Sequence, residues 1–344
     1  MGKLYNTIVG LENVFCAFEE FCVGKRKKKD VMAFCRNLED NLFTIHRSLM
    51  TKTYKHGTYQ MFYVKDPKVR QIHKATVADR LVHHIVSSHL ERIFEPTFIK
   101  HSYSCRKNKG THKAVFALWS MAQSLTAEGN RNCWVLKCDV RKFFASVDQK
   151  ILLELLERRI ADQDFLWLLG EIIYSYCPSG SSPTKGIPIG NLTSQFFANI
   201  YLNELDQFVT NSLKIENYIR YADDFVILST NRNYLINLIP AIGKFLKLKL
   251  GLQLHPNKIF LRKIKSGVDF LGYVVFLYYI LPRTKTKRRL ISKIKSRIND
   301  YKEGKISEIK LNQTIQSYFG YLSHANSYKL RQELANLIWF WLCQ

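Results

Sequence analysis

Long apolar runs are missing from this 344-residue chain. None reaches the ~20 residues that a membrane-spanning helix needs, and the longest, Phe270–Pro282, contains Gly272 and suits buried strand better. The N-terminus shows no basic stretch followed by an apolar one, so no signal peptide is expected. None of the eight cysteines forms a Cys-x-x-Cys pair. His101, Cys105 and His112 are poorly spaced for zinc and lack a fourth ligand, so structural roles are preferred for them. A reducing cytoplasm is the expected setting. Acids are scarce as well, with 28 Asp and Glu against 52 Lys and Arg, a formal charge of +24. Such a charge repels itself unless a polyanion screens it. Nucleic acid is therefore the leading partner, and an anionic membrane the rival. Internal repeats and low-complexity linkers are absent too.

What is present is a folding composition. Hydrophobic residues make up 47% and aromatic residues 13%, which rules out a mainly disordered protein. The length allows a large core shared by two or three subdomains. Residues 1–55 read as helical: Ile8, Leu11, Val14, Phe15 and Phe18 recur at helical spacing, as do Phe34, Leu38, Leu42 and Ile45. Between them Lys25–Lys29 is either a solvated loop or, the preferred reading, a phosphate contact. Tyr59–Val64 and Val69–Ile72 suggest a hairpin turning at Asp66-Pro67 and presenting Lys65, Lys68 and Arg70. An amphipathic helix follows over Ala78–Phe94. Ser102–Lys113 interleaves Tyr103 with Arg106, Lys107 and Lys109, which suits either nucleic-acid contact or a plain surface loop.

Trp134–Val140 reads as a buried strand carrying Asp139 near its end, and Asp148 as the cap of a helix reaching Ile160. Turn-rich residues 177–186 lead into Gly186–Gln195 and a long helix to about Val209. Tyr218–Ser229 places Asp223 and Asp224 between two apolar flanks, as at the tip of a hairpin. Alone, that dipeptide is most simply a solvated turn. A like-charged pair beside a sheet core instead calls for a bound divalent cation. A helix over Leu235–Leu250 and strands at Lys258–Lys263 and Asp269–Tyr279 would complete one sheet. Arg283–Lys305 holds ten basic and two acidic residues on a helical pattern, and the last forty residues are helical. The Trp339-Phe340-Trp341 cluster is expected to pack into a core, with a partner surface as the alternative.

The order of these features resembles the palm of a reverse transcriptase, over roughly Lys65–Tyr279. Tyr221-Ala222-Asp223-Asp224 looks like that family's catalytic hairpin, and Asp139 like the acid of its first palm motif. Gly186–Ser194 resembles the motif supporting template and nucleotide, and Leu271-Gly272-Tyr273 the primer-grip turn. Ile189 stands where intron and retron enzymes mostly carry Gln. Together with Ser102–Lys113 and Gly320–Ala325, the run Ile189–Gln195 resembles reverse transcriptases of diversity-generating retroelements. The implied fold is α+β: a right-hand polymerase with an N-terminal helical extension (1–58), fingers (59–130), a palm of antiparallel sheet on helices (131–282) and a helical thumb (283–344).

The implied activity is RNA-directed DNA synthesis from a template-repeat RNA, error-prone opposite adenine. The alternatives are an abortive-infection, CRISPR-associated or retron-like enzyme, or a non-catalytic nucleic-acid-binding scaffold. By the resemblance, two Mg²⁺ ions, with Mn²⁺ able to substitute, are held by Asp139, Val140, Asp223 and Asp224. Asp223 is the stronger ligand and Asp224 the weaker. Lys65, Lys68, Arg70, Phe144 and Gly190 face the deoxynucleoside triphosphate. Phe144 is either a steric gate against a 2′-hydroxyl or half of a core Phe-Phe pair. Lys258 is either the general acid for pyrophosphate or a surface cation. Ile189 and Gln195 tune fidelity, and Arg106, Lys107, Lys109, Arg283, Lys287 and Arg288 touch nucleic acid. Template RNA, cDNA and a small, basic, oligomeric accessory protein are the implied partners, in a bacterial or phage-encoded cytoplasmic setting. No RNase H or endonuclease segment is expected after the thumb.

Overall fold

The computed structural model describes residues 2–66, 68–127, 129–178 and 184–344. Pro67 of the expected hairpin turn and 179–183 of the turn-rich stretch lie outside the described residues.

Four helices open the chain: α1 (Lys3–Val9), α2 (Leu11–Cys22), α3 (Lys29–Cys35) and α4 (Leu38–Met50). The chain breaks helix at Gly10, so Ile8 and Leu11 belong to different helices and the expected single stripe does not form. The stripe that α2 buries is Val14, Ala17, Phe18 and Phe21, while Leu11 is exposed. These helices pack on α5 (Val77–Phe94), which buries residues around most of its circumference. A two-stranded hairpin, β1 (Gln60–Val64) with β2 (Arg70–Lys74), precedes α5, and α6 (Thr111–Thr126) follows it.

The central sheet has the order β4-β5-β3-β6 and is antiparallel: β3 (Trp134–Asp139), β4 (Tyr218–Tyr221), β5 (Asp224–Ser229) and β6 (Phe260–Lys263). Between β3 and β4 run α7 (Phe143–Ser146), α8 (Gln149–Glu157), α9 (Gln163–Tyr174) and α10 (Leu192–Gln207). Asp148 caps α8 as expected, accepting from the Lys150 and Ile151 amides at 3.0 and 3.3 Å. Helix α10 buries Phe196, Phe197, Ile200, Tyr201, Leu202 and Leu205 in the main core, the all-round apolar pattern of an interior helix. After β5, α11 (Arg232–Leu250) starts earlier than periodicity suggests, because Asn231 caps it at the Tyr234 amide.

The apolar run after β6 does not complete the central sheet. It folds on itself as β7 (Val268–Phe270), β8 (Tyr273–Val275) and β9 (Ile280–Pro282), a separate three-stranded antiparallel sheet. The reason is local. Leu271 (φ 51°) and Gly272 (φ 90°) both take positive φ, which makes a tight two-residue turn where a long strand was expected.

Three helices close the chain: α12 (Thr284–Lys302), α13 (Glu308–Ser323) and α14 (Tyr328–Cys343). In α12, Leu290, Ile294 and Ile298 recur every fourth residue and meet Leu311, Leu322, Leu334 and Ile338 in a core of their own. The tryptophan cluster corrects an expectation. Trp341 packs partly on this core, but Trp339 is 70% exposed and Phe340 51%. Three consecutive rings on a helix spread over about 200° of its circumference, and the small core meets only one side of it. Among the described residues no helix is long and apolar enough to cross a membrane.

Candidate active site

Asp139 ends β3 and is the cross-strand partner of Asp224, which begins β5. Opposed residues of neighbouring strands project from the same face, so strand register alone juxtaposes these two carboxylates. Asp223 joins them from the turn, where its carbonyl accepts from the Val140 amide at 3.2 Å. Ala222 holds φ at 52°, a left-handed conformation costing roughly 1–2 kcal/mol in a non-glycine residue.

The charges around the three acids are uneven. The Lys258 ammonium donates to both Asp139 oxygens at 2.9 Å, and Lys137 lies 3.9 Å from Asp224. Burial raises the Asp224 carboxyl to about 6; Lys137 opposes this, while Asp223 and Asp139 add to it. Burial and then the neighbouring Asp139 also raise Asp223, with Lys258 and Arg70 pulling the other way. The acids thus form a site with surplus negative charge, in which Lys258 stands where a cation is wanted. Asp139, Asp224, Lys68, Lys137, Lys258 and Arg283 line a cleft of about 560 Å³. Among the described residues, no three His, Cys, Asp or Glu side chains form a preassembled metal cage, neither these acids nor His101, Cys105 and His112. The donor set nonetheless fits a hard divalent ion: carboxylate oxygens only, with a built-in demand for positive charge.

A buried ionic network, which the sequence reading missed, supports the hairpin. Arg220 on β4 is fully buried and reaches Asp206 of α10 through Nε at 2.7 and 3.0 Å and through Nη2 at 2.6 Å. Its Nη1 donates to Asn199 Oδ1 at 3.1 Å and to the Ala222 carbonyl at 3.2 Å, and the Tyr218 hydroxyl donates to Asp206 at 2.8 Å. Burial alone would weaken the guanidinium charge, and Asp206 more than restores it. The available signal was a lone charge inside the apolar strand Tyr218-Ile219-Arg220-Tyr221.

Residues 101–106 extend the edge of this sheet. The Arg220 amide donates to the His101 carbonyl at 2.9 Å, and the Tyr103 amide donates to the Arg220 carbonyl at 3.0 Å. Tyr103 is buried, and the side chain of Arg106 is only 6% exposed, held by Glu95 and the Ile99 and Ser102 carbonyls. The nucleic-acid contact expected of Arg106 is therefore corrected to an internal pin. Lys107 pairs with Glu91 at 2.9 Å from an exposed position, and Lys109 donates to the Lys100 carbonyl over the Tyr103 ring.

The β1–β2 hairpin flanks the cleft. Lys65 and Lys68 lie near its tip and Arg70 starts β2, while Asp66 reaches Lys293 and Arg289 on α12 at 3.0 and 3.5 Å. At its other end β2 is tied to the turn before α10: the His73 amide donates to the Ile189 carbonyl at 3.0 Å and Asn191 Nδ2 to the His73 carbonyl at 3.2 Å. Gly190 (φ 115°) leaves no room for a side chain, since a Cβ there would stand 2.6 Å from Ile72 Cγ2. Ile189 is half-buried and Gln195 exposed. The Phe143-Phe144 pair divides: Phe143 joins the core, whereas Phe144 is half-buried, its carbonyl accepting from the Ile187 amide at 2.8 Å.

At the Leu271-Gly272 turn, the Tyr321 hydroxyl donates to the Gly272 carbonyl at 2.7 Å, and the Tyr273 hydroxyl to the Tyr321 carbonyl at 2.9 Å. Arg283 pairs with Asp269 at 2.7 Å, Lys287 is half-buried and Arg288 is exposed.

Residues 55–275 match the family described as "Reverse transcriptase (RNA-dependent DNA polymerase)". Protein YkfC of Escherichia coli (strain K12) is 27% identical over 241 residues, covering 60% of this chain and 63% of YkfC. The group II intron-encoded protein LtrA of Lactococcus lactis subsp. cremoris is 27% identical over 181 residues, 50% of this chain and 28% of LtrA. Among solved structures, apo telomerase from Candida tropicalis matches with a TM-score of 0.52 at 11% identity, covering 84% of this chain and 62% of that one. At that identity the likeness concerns the fold alone. The chain spans less than two thirds of the length of each of these relatives.

Proposed function

The chain belongs to the reverse transcriptase family, and from that premise we propose that it is an RNA-directed DNA polymerase serving a diversity-generating retroelement. The observation that carries the polymerase reading is the register pair Asp139–Asp224 in a cleft also lined by Lys68, Lys137, Lys258 and Arg283, with Asp223 next to the pair in the turn. The residues to hold two Mg²⁺ ions, or Mn²⁺ in their place, are Asp139, Asp223, Asp224 and the Val140 backbone. Such ions supply activation of the primer hydroxyl and charge stabilisation on the departing pyrophosphate. Lys258 neutralises Asp139 here, and is the residue to act as general acid for the departing pyrophosphate. Arg70, with Lys68 and Lys65, clamps the triphosphate. In this reading the β1–β2 hairpin and its surroundings are fingers, the central sheet with α10 is palm and α12–α14 are thumb. The thumb presents Arg283, Lys287 and Arg288 to duplex phosphates.

Phe144 fits a sugar gate because it is the half-open member of its pair. Phe144→Ala is expected to raise ribonucleotide incorporation roughly tenfold, about 1.4 kcal/mol in relative barrier. Incorporation assayed with mixed ribo- and deoxynucleotides checks this, and no gain returns Phe144 to core packing.

The retroelement assignment rests on Ile189–Gln195. Copying of a template-repeat RNA should leave errors concentrated opposite adenine, in company with a small, basic, oligomeric accessory protein. Ile189→Gln is expected to lower adenine misincorporation several-fold while other errors hold steady, as read by sequencing cDNA from a defined RNA. An unchanged error spectrum removes the fidelity role. The LtrA match favours a second reading, an intron-type reverse transcriptase. Uniformly low error at adenine in the wild type would select it.

A further inference from the structure

Beneath the turn that ties α10 to β2 runs a file of side chains that nucleotidyl transfer leaves unused. His83 of α5 is buried, with its Nδ1 2.5 Å from Thr193 Oγ1 in the first turn of α10. Its Nε2 lies 2.9 Å from His56 Nε2, and His56 Nδ1 lies 2.6 Å from the Gly57 carbonyl. Asp79, the nearest carboxylate, is already engaged by the Tyr54 hydroxyl (2.8 Å), the Thr76 hydroxyl (2.6 Å) and the Gly57 amide (3.3 Å). The Tyr59 ring packs against His56 at 4.7 Å.

With both rings neutral, donor and acceptor rules assign the protons in the file. The Gly57 carbonyl only accepts, so His56 carries its proton on Nδ1. Neutral His56 offers a lone pair at Nε2, which must receive the Nε2 proton of His83. His83 is thereby left with a bare Nδ1, and the Thr193 hydroxyl donates to it. Burial keeps His83 uncharged, pushing its imidazolium down to about 3.

We propose that His83 is a positioning residue: through the Thr193 hydroxyl it fixes the Ile189–Thr193 turn, and through that turn the strand that presents Arg70 to the incoming triphosphate. The mechanical path is on hand. Two residues before Thr193, Asn191 bonds the His73 carbonyl; Ile189 accepts from the His73 amide; and Gly190 lets β2 approach to contact distance. Arg70 begins that strand, and its charge is felt by Asp223. The inference rests on the polymerase reading, and its test is arranged so that the two fail separately.

Thr193→Val is expected to raise the KM for deoxynucleoside triphosphate about tenfold with kcat within about twofold, the loss of one buried hydrogen bond. Thr193→Ser, which keeps the donor, should match the wild type. His83→Asn, with an acceptor near the Nδ1 position, should retain most of the affinity, while His83→Gln, which reaches only toward His56, should behave as Thr193→Val does. A merely structural role would lower the thermal midpoint in all four without splitting KM from kcat. That result, or an unchanged KM in Thr193→Val, overturns the proposal. A readout independent of turnover is the ¹⁵N shift of His83 in labelled protein: a bare Nδ1 and a protonated Nε2 are expected, and the opposite tautomer also overturns it. Absence of turnover in the wild type would instead count against the polymerase reading, leaving the tautomer to judge the file.

Discussion

Asp223→Ala is expected to reduce primer extension on an RNA template in Mg²⁺ by roughly 10²–10³-fold, the size of effect seen when one preorganised electrostatic group is removed from a developing transition state. The substitution is mild for the fold. Asp223 sits at a turn, half-buried, and the contact that anchors it uses its backbone carbonyl, which alanine keeps. It also removes a carboxyl that burial and Asp139 hold in an unfavourable state, so the thermal midpoint should hold or rise. Loss of activity with retained stability is therefore the signature of a chemical role. Equal extension by wild type and variant would end the catalytic argument for all three acids, because Asp139 and Asp224 are read as parts of the same site. Asp139→Asn should behave similarly in activity. There the Lys258 ammonium loses its charged partner, and a small cost in stability is expected to accompany the effect.

The second large effect is on stability. Asp206→Ala leaves the fully buried Arg220 guanidinium without its carboxylate, and breaking such a pair from one side costs about 3–5 kcal/mol. Against a typical total of roughly 5–15 kcal/mol for a domain, that is a severe loss. Urea unfolding should show the midpoint falling without a change of slope. Replacing both partners, Asp206→Leu with Arg220→Met, should recover much of the stability, since no unpaired charge remains. Activity should not return with it. Arg220 also holds the Ala222 carbonyl, and methionine cannot hold the left-handed turn that aims Asp223. Stability restored together with full extension would show that the network serves folding alone.

These two sites differ in how far the sequence betrayed them. The acids were legible because each lies in a local pattern: Asp139 at the end of an apolar strand, and Asp223-Asp224 between two apolar flanks. Strand pairing needed no further information to bring them together. The Arg220–Asp206 pair was only half legible: Arg220 stands out as a lone charge in an apolar strand, but its partner lies on a distant helix and nothing local names it. Arg106 misled for the same reason: a basic residue in a basic loop gives no local hint that Glu95 and two carbonyls enclose it. The split of the second sheet turned on Leu271 adopting positive φ, a conformation its residue type disfavours and sequence rules do not anticipate. The exposed tryptophan cluster failed differently. Aromatic content predicts burial only when the neighbouring core is wide enough, and the core under α14 is small.

The contact between Asp66 and the α12 residues Arg289 and Lys293 joins two elements that lie far apart in the sequence. The hairpin tip thereby rests on that helix, beside the cleft that Lys68 and Arg283 line. The clasp is made of solvent-exposed ion pairs, which contribute little and weaken further in salt. It is thus a join that parts at little cost. In the polymerase reading, phosphates of a bound strand would compete with Asp66 for the same two cations, so the grip would pass from the protein's own hairpin to the nucleic acid.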